Sequence, residues 1–241
     1  MRLNALILAI LSSFGLFAKD SLFIKYGFLQ VGYGIGIPAG NIKQISGLFG
    51  TPSVAIGLMT NKAFALVKWE YFFSQKLPYN PLEDYVSIDG FIYDDEGIPA
   101  VVQIERRGWS IGTSLTLRFP IQPESNMLLT TGISGGYFTH WLRIHVREGT
   151  VSWLTDERIR KALRGRVQGP YGGLNVGLWH DDPERMLTFA LNVEFKAIYS
   201  TSMYDIVLTP TPYQPTGWDF ITTVRLAWFL PVGGKKKTFE Y

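Results

Sequence analysis

Hydrophobic and polar residues alternate strictly along residues 108–120, which read GWSIGTSLTLRFP. Trp109 and Ile111 share one parity with the other large side chains, whereas Ser110 and Gly112 share the opposite parity with small ones. Such alternation predicts a β-strand whose two faces meet different environments. Which of the two faces meets water decides the class of protein to which the chain belongs.

Eight segments of this kind recur, at residues 22–37, 53–61, 63–75, 107–119, 126–145, 171–180, 185–199 and 218–231. Their connections alternate between short turns at 60–62, 122–126 and 181–185 and long loops at 38–52, 76–106, 146–170 and 200–217. This alternation is typical of up-and-down barrels of the outer membrane, with both termini on the short-turn side. We therefore predict an all-β fold: an eight-stranded antiparallel up-and-down transmembrane β-barrel with a short helix in its third long loop.

The first segment departs from the pattern, because its apolar parity changes between Tyr26 and Val31. A β-bulge near Gly27 would reconcile the two halves.

Side-chain volume favours an apolar exterior. Large residues fill one face of the third, seventh and eighth segments, and small residues such as Gly112, Ser134 and Gly173 fill the opposite faces. An eight-stranded barrel has an interior just wide enough for its own side chains, so the small rows fit a narrow lumen. Aromatic residues gather at the long-loop ends (Tyr71, Phe73, Trp109, Trp141, Tyr199 and Trp218), and Phe119 and Trp228 mark the other rim. Such girdles lie at the two membrane interfaces of outer-membrane barrels.

The charged residues agree with this assignment. The small-residue face carries Lys68, Glu70, Arg118, Glu194, Lys196 and Arg225. These charges are too few for a surface in bulk water but suit an internal network of paired ions, which we predict in the lumen.

Composition narrows the class of protein. Only 18% of the 241 residues are charged, and the absence of cysteine excludes disulfides and thiolate metal sites. The net charge of +3 gives no reason to expect a nucleic-acid partner.

Residues 1–18 are typical of a secretory signal peptide, since the apolar run of 5–11 is too short to span a membrane. We expect residues 19–241 to form one barrel domain in the bacterial outer membrane.

In this architecture the chain resembles small eight-stranded outer-membrane barrels of the OmpA transmembrane-domain and OmpX type. It resembles more weakly the PorG- and PorT-like barrels of Bacteroidota secretion machinery. Residues 220–231 resemble the aromatic-rich final strand that the barrel assembly machinery reads, although VGGKKKTFEY follows them. The resemblance implies a non-enzymatic structural, binding or assembly component of the cell envelope. That component would contact outer-membrane lipid, lipopolysaccharide and protein partners through its long loops or periplasmic rim.

Two other classes stay open. Barrel-type lipid A deacylases place a histidine and a serine close together on one strand, but no serine lies two residues from any histidine here. His140 and His145 fall on opposite faces of a strand and cannot share a metal. We therefore expect no catalytic, cofactor or metal residues. Residues 93–97 (YDDEG) lack the spacing of a calcium loop and are better interpreted as a hairpin tip. The other class is a secreted, soluble, lipocalin-like barrel.

The third long loop contains the predicted helix, at 155–164, with Thr155 as N-cap and Gly165 as its stop. Its polar face carries Arg158, Arg160, Lys161 and Arg164. A short basic helix at a membrane surface is suited to lipopolysaccharide phosphates or to an acidic protein. The alternative is a solvated helix that packs over the barrel mouth.

Overall fold

A computed structural model of the chain describes residues 26–74, 77–78, 80–122, 125–182, 187–202 and 216–232. The strands are β1 (Tyr26–Gly40), β2 (Phe49–Met59), β3 (Ala63–Ser74), β4 (Ile92–Tyr93), β5 (Pro99–Pro120), β6 (Met127–Glu148), β7 (Val167–Asp182), β8 (Leu187–Ser202) and β9 (Thr216–Val232). Three short α-helices lie between strands, α1 (Ile42–Ile45), α2 (Ser152–Thr155) and α3 (Glu157–Arg164), and Glu83–Tyr85 form one turn of 3-10 helix. The predicted signal peptide at 1–18 lies outside the described residues.

Eight of these strands form a closed antiparallel ring in the order β3-β2-β1-β9-β8-β7-β6-β5, and β5 returns to pair with β3. Neighbours along the chain are neighbours in the ring, which is the up-and-down topology that the sequence predicted. The predicted fold class is confirmed. β4 is not part of the ring and pairs only with the start of β5.

Among the described residues, no helix combines the length and the apolar character needed to cross a membrane.

The first strand needs no bulge. β1 pairs without interruption with β9 from Gly27 to Gly40 and with β2 from Tyr26 to Gly36. The bulge predicted near Gly27 is therefore wrong for the described part of β1, whose even positions, such as Phe28, point into the lumen. Leu22 and Ile24, which suggested the bulge together with Tyr26, lie outside the described residues. Phe28 is buried there, whereas Val31 is exposed on the outside.

Strands β5 and β6 are each 22 residues long, about twice the 9–11 residues that cross a bilayer. β3 pairs with β5 only as far as Arg106, and β7 pairs with β6 only as far as His140. Beyond these points β5 and β6 continue together as a two-stranded ribbon on the long-loop side. The predicted segments, 107–119 and 126–145, stop short of the far end of the ribbon, because the apolar residues change parity there. Ile104 and Ile144 pack on the inner face of the ribbon, whereas Arg143 lies exposed on its outer face.

The lumen contains large rings that the sequence pattern did not predict there. Near the short turns Phe28, Phe64, Trp179 and Phe229 form one buried cluster, the lower ring layer. Near the long loops Phe49, Phe72, Phe138 and Tyr171 belong to a second cluster, the upper ring layer. A lumen filled only by small residues is therefore wrong at the two ends of the barrel.

Inward glycines make room for these rings. A Cβ on Gly108 would lie 2.0 Å from the Phe72 ring and 2.5 Å from the carbonyl oxygen of Thr139. A Cβ on Gly36 would lie 2.1 Å from the Phe49 ring. Each ring thus occupies the volume that its neighbour's side chain would need, which keeps the total volume within what an eight-stranded barrel holds.

This packing predicts that Gly108→Ala destabilises the barrel by about 1–3 kcal/mol, the usual cost of overpacking a filled core. Gly172→Ala is the matched control, because its Cβ would meet nothing within 4 Å. The temperature at which each purified variant loses its folded-barrel mobility on a gel measures the effect. Equal temperatures for both variants would contradict the packing described here.

Candidate functional site

The most distinctive feature of the lumen is a cluster of five ionised side chains, which we call the ionic core: Lys68 and Glu70 on β3, Glu194 and Lys196 on β8, and Arg225 on β9. All five are at most 7% exposed. In the ring order β3 and β8 are four places apart, so they stand on opposite walls. The ion pairs therefore cross the lumen and tie its two sides together.

Each of the three cations contacts both carboxylates. The Nζ atom of Lys68 lies 2.6 Å from Oε2 of Glu194 and 3.1 Å from Oε1 of Glu70. Lys196 contacts Glu70 directly, and its Nζ lies 3.6 Å from Oε2 of Glu194. Arg225 also contacts Glu70, and its Nη1 donates to Oε2 of Glu194 at 3.3 Å. The arrangement gives each buried charge more than one opposite partner, which is the condition under which buried ions are tolerated.

Neutral groups complete the ionic core. Ser110 Oγ donates to Oε2 of Glu70 at 2.7 Å, and Ser134 Oγ donates to Oε1 of Glu194 at 2.9 Å. Three cations against two anions leave one excess positive charge. Lys196 Nζ lies 5.0 Å above the centre of the Tyr171 ring, whose electron-rich face stabilises a cation.

Arg118 belongs to the inward face but not to the ionic core. Its guanidinium lies 4.9 Å from the centre of the Trp179 ring and donates to the carbonyl oxygen of Thr60 at 3.5 Å. Lys68 pairs with Gly112, six residues from Arg118 on β5, or roughly 20 Å along the strand. Parity alone predicted Arg118 in the same network as the other five, and parity does not determine height in the barrel.

A second inward polar pair, Arg106 and His140, was not predicted as a pair. Arg106 Nη1 lies 3.1 Å from Nδ1 of His140, and both side chains are buried above the upper ring layer. His140 lies six residues from Ser134 on β6, so the described structure does not bring this histidine and this serine together. Within the described residues, no three His, Asp or Glu side chains are grouped as a metal site would require.

The outward face of the ring is apolar. Ile56, Ile133 and Leu174 are each at least 60% exposed, and every strand of the ring contributes large apolar residues to this surface. The aromatic residues predicted as girdles lie on this face: Tyr199 and Trp218 are exposed at the long-loop end, and Phe119 and Trp228 at the other. Apolar side chains outside and ions inside are the arrangement of a membrane-spanning barrel, and the reverse of a soluble one.

The second and third long loops build an ordered cap that packs on the ribbon. Leu82, Val151, Leu154 and Leu163 are buried together against the inner face of the ribbon. The Tyr85 and Trp153 rings stack with their centres 4.5 Å apart, which joins the second long loop to the third.

Carboxylates of residues 93–97 hold the cap in place. Asp94 Oδ1 accepts the backbone N–H groups of Glu96 and Ile98 at 3.0 and 2.7 Å, as expected at a hairpin tip. Asp95 accepts hydrogen bonds from the side chain and the backbone of Ser152, and these bonds lower the pKa of its carboxyl group. Because the folded pKa is lowered, this contact stabilises the cap above the ordinary pKa of 3.8 and is lost as the pH falls through the folded value.

The predicted basic helix is present as α3, but its N-cap is Asp156 and not Thr155. The Asp156 side chain accepts the backbone N–H of Arg158 at 2.7 Å. Thr155 instead ends α2, where its hydroxyl donates to the carbonyl oxygen of Ser152. Gly165 ends α3 with φ of +48°. Arg158 is exposed, whereas the side chains of Arg160, Lys161 and Arg164 lie outside the described part of the chain.

The ionic core predicts that Glu70→Ala costs about 3–5 kcal/mol, because three buried cations lose a common partner. The double variant Glu70→Gln with Lys196→Met removes one charge of each sign. It therefore keeps the original net charge of the ionic core and should recover part of the lost stability. Urea unfolding of each refolded barrel in lipid vesicles measures the free energy of unfolding of the single and the double variant. A Glu70→Ala barrel as stable as the unchanged chain would contradict the described network.

No model of a protein family matches the chain, and no curated protein matches its sequence. Among solved structures it is similar to Neisserial surface protein A, with 10% identity, 86% of this chain and 97% of that chain covered, and a TM-score of 0.44.

It is also similar to a major outer membrane protein of Thermus thermophilus, with 11% identity, 86% and 99% coverage, and a TM-score of 0.41. The third is Ail of Yersinia pestis, solved with the heparin analogue sucrose octasulfate, with 5% identity, 86% and 100% coverage, and a TM-score of 0.40. At these TM-scores the assignment of the fold rests on the strand pairing of the chain itself, which forms a closed eight-stranded antiparallel barrel.

Proposed function

We propose that the chain is a non-enzymatic β-barrel of the bacterial outer membrane that binds a partner through its extracellular cap. The observation that carries this proposal is the inversion of polarity between the two faces of the ring. An apolar outer surface requires lipid, whereas the ionic core requires a closed interior.

The filled lumen argues for a role other than an open pore. Ring layers lie on both sides of the ionic core, and the side chains of that core bond to one another across the barrel. A porin-like channel would need a continuous aqueous path, and eight strands leave little room for one. A lipocalin-like ligand carrier would need an apolar cavity, whereas ions occupy the centre of the described barrel.

The cap is the part of the molecule suited to recognition. Its core of Leu82, Val151, Leu154 and Leu163 holds the second and third long loops in one arrangement, so that a partner would meet a preformed surface. Ile88 and Phe91 are exposed in the second long loop, which favours a protein partner over bulk solvent. Arg158 is exposed on α3 in the same cap. A role in a secretion or surface machine would use this cap or, alternatively, the short turns.

Site-specific photocrosslinking in whole cells tests the proposal. A crosslinker at Phe91 should give a discrete adduct that sediments with the outer membrane on a sucrose gradient, because the cap meets its partner there. The chain in that fraction should migrate differently on a gel before and after heating, because a closed barrel stays folded in detergent until it is heated. Ile56, exposed on the lipid-facing surface, is the matched control and should give no adduct.

Two results would contradict the proposal. Recovery of the chain as a soluble periplasmic protein would exclude the membrane barrel. An adduct at Asn61 in the short turn, with none at Phe91, would move the binding surface to the periplasmic rim.

A further inference from the structure

The outward face of the ribbon carries positive charge directly above the apolar surface. On β5 the large outward residues run from Phe119 to Trp109, and the next outward residue is Arg107. On β6 they run from Leu129 to Trp141, and the next is Arg143. The β5 run has about the length that crosses a bilayer, so Arg107 and Arg143 lie where the hydrocarbon ends and the headgroups begin.

A third arginine lies at the same height. Arg166 immediately precedes β7, and its Nε donates to Oγ1 of Thr139 at 3.3 Å. Thr139 is an outward residue of β6 that pairs with Trp109 across to β5. Arg166 thus covers the outer surface of the barrel beside Trp109 and Trp141. We call Arg107, Arg143 and Arg166 the basic strip.

Arg107 is held among the aromatic residues of the girdle. Its guanidinium carbon lies 5.9 Å from the centre of the Tyr71 ring and 5.5 Å from that of Phe73. It also bonds to the carboxylate of Glu105, with Nε donating to Oε2 at 2.7 Å. An arginine that packs against girdle rings and directs its charged end outward is fixed at the membrane interface.

The strip has a net positive charge. Glu105 is its one carboxylate among the described neighbours on this face, and that group is occupied by Arg107 and by Gln103 Nε2 at 2.5 Å. Among the described residues, neither Arg143 nor Arg166 takes part in an ion pair. Three arginines against one carboxylate leave a surplus of two positive charges, and His145 and Arg147 lie exposed further along β6. Guanidinium groups bind phosphate in a bidentate geometry.

We propose that the basic strip binds the phosphorylated headgroup of an anionic glycolipid in the outer leaflet, while the acyl chains of that lipid cover the apolar face below. This inference rests on the proposed membrane placement and adds the site and the chemistry of the lipid. The proposal places the phosphate contact on the ribbon, whereas the sequence pattern pointed to the basic helix α3.

Native mass spectrometry of the detergent-solubilised barrel with diphosphoryl lipid A tests the proposal. Replacing Arg143 and Arg166 by Gln should weaken binding by roughly thirtyfold, since each of the two cations near an anionic lipid surface contributes about 1 kcal/mol. Lys43→Gln with Lys62→Gln is the matched control, because it removes the same charge from exposed positions in α1 and in a short turn. The control should bind as the unchanged chain does, and added salt should weaken binding by the unchanged chain.

Three outcomes would overturn the proposal. Equal loss in the control would show that only net charge matters. Equal binding of dephosphorylated lipid A would show adsorption through acyl chains. Complete displacement by millimolar inorganic phosphate would show a site for free phosphate instead of a lipid. A shift in gel mobility on heating, for the unchanged chain and for each variant, shows separately that the barrel is folded. An unchanged chain that is folded but does not bind lipid A contradicts the lipid site, whereas recovery of the chain as a soluble protein contradicts the membrane placement.

Discussion

The barrel depends on the ion pairs that join its opposite walls. Lys68 and Glu70 come from β3, and Glu194 and Lys196 come from β8, on the other side of the ring. Charges at this depth are stable only with partners of opposite sign, so none of the four can be placed without the others. Arg225 adds a third cation that contacts both carboxylates. The interaction fixes which faces of three strands point inward, and the outward faces follow from the alternation of the strands.

The rest of the lumen is arranged around this cluster. Ring layers lie above and below it, and inward glycines such as Gly108 leave space for those rings. Apolar rings at both ends keep the dielectric constant around the ions low, which strengthens their attraction and raises the cost of leaving one unpaired. A closed interior of this kind leaves the loops and the outer surface as the places where binding can occur. Among the described residues, the cap carries exposed apolar side chains such as Ile88 and Phe91, and the basic strip carries exposed arginines.

Strand parity was predictable from the sequence, because the alternation of side chains is a local property. Residues 108–120 gave the correct face for Trp109 and for Ser110, and the ring has the predicted number of strands. Height within the barrel was not predictable, since it depends on the register between strands. Arg118 therefore joined the predicted ion network although it packs on Trp179. Pairing between inward rings and glycines of neighbouring strands, as between Phe72 and Gly108, is likewise a property of register. At the loop helix, Thr155 and Asp156 are both good N-caps, and the preceding turn α2 decided between them.

The central claim is that the large apolar residues of the ring face lipid while the charges face one another inside. The chain contains no cysteine, so single nitroxide labels can be placed at Ile56, Val224 and Leu226 in vesicles, with Ile88 of the cap as a reference. Power saturation of the electron paramagnetic resonance signal then compares collision with oxygen, which concentrates in lipid, and with a water-soluble nickel chelate. The account predicts that labels at the three ring positions collide with oxygen and not with nickel, whereas the label at Ile88 collides with nickel. Nickel access at Ile56, Val224 and Leu226 equal to that at Ile88 would show that the apolar face meets water, and would contradict the account.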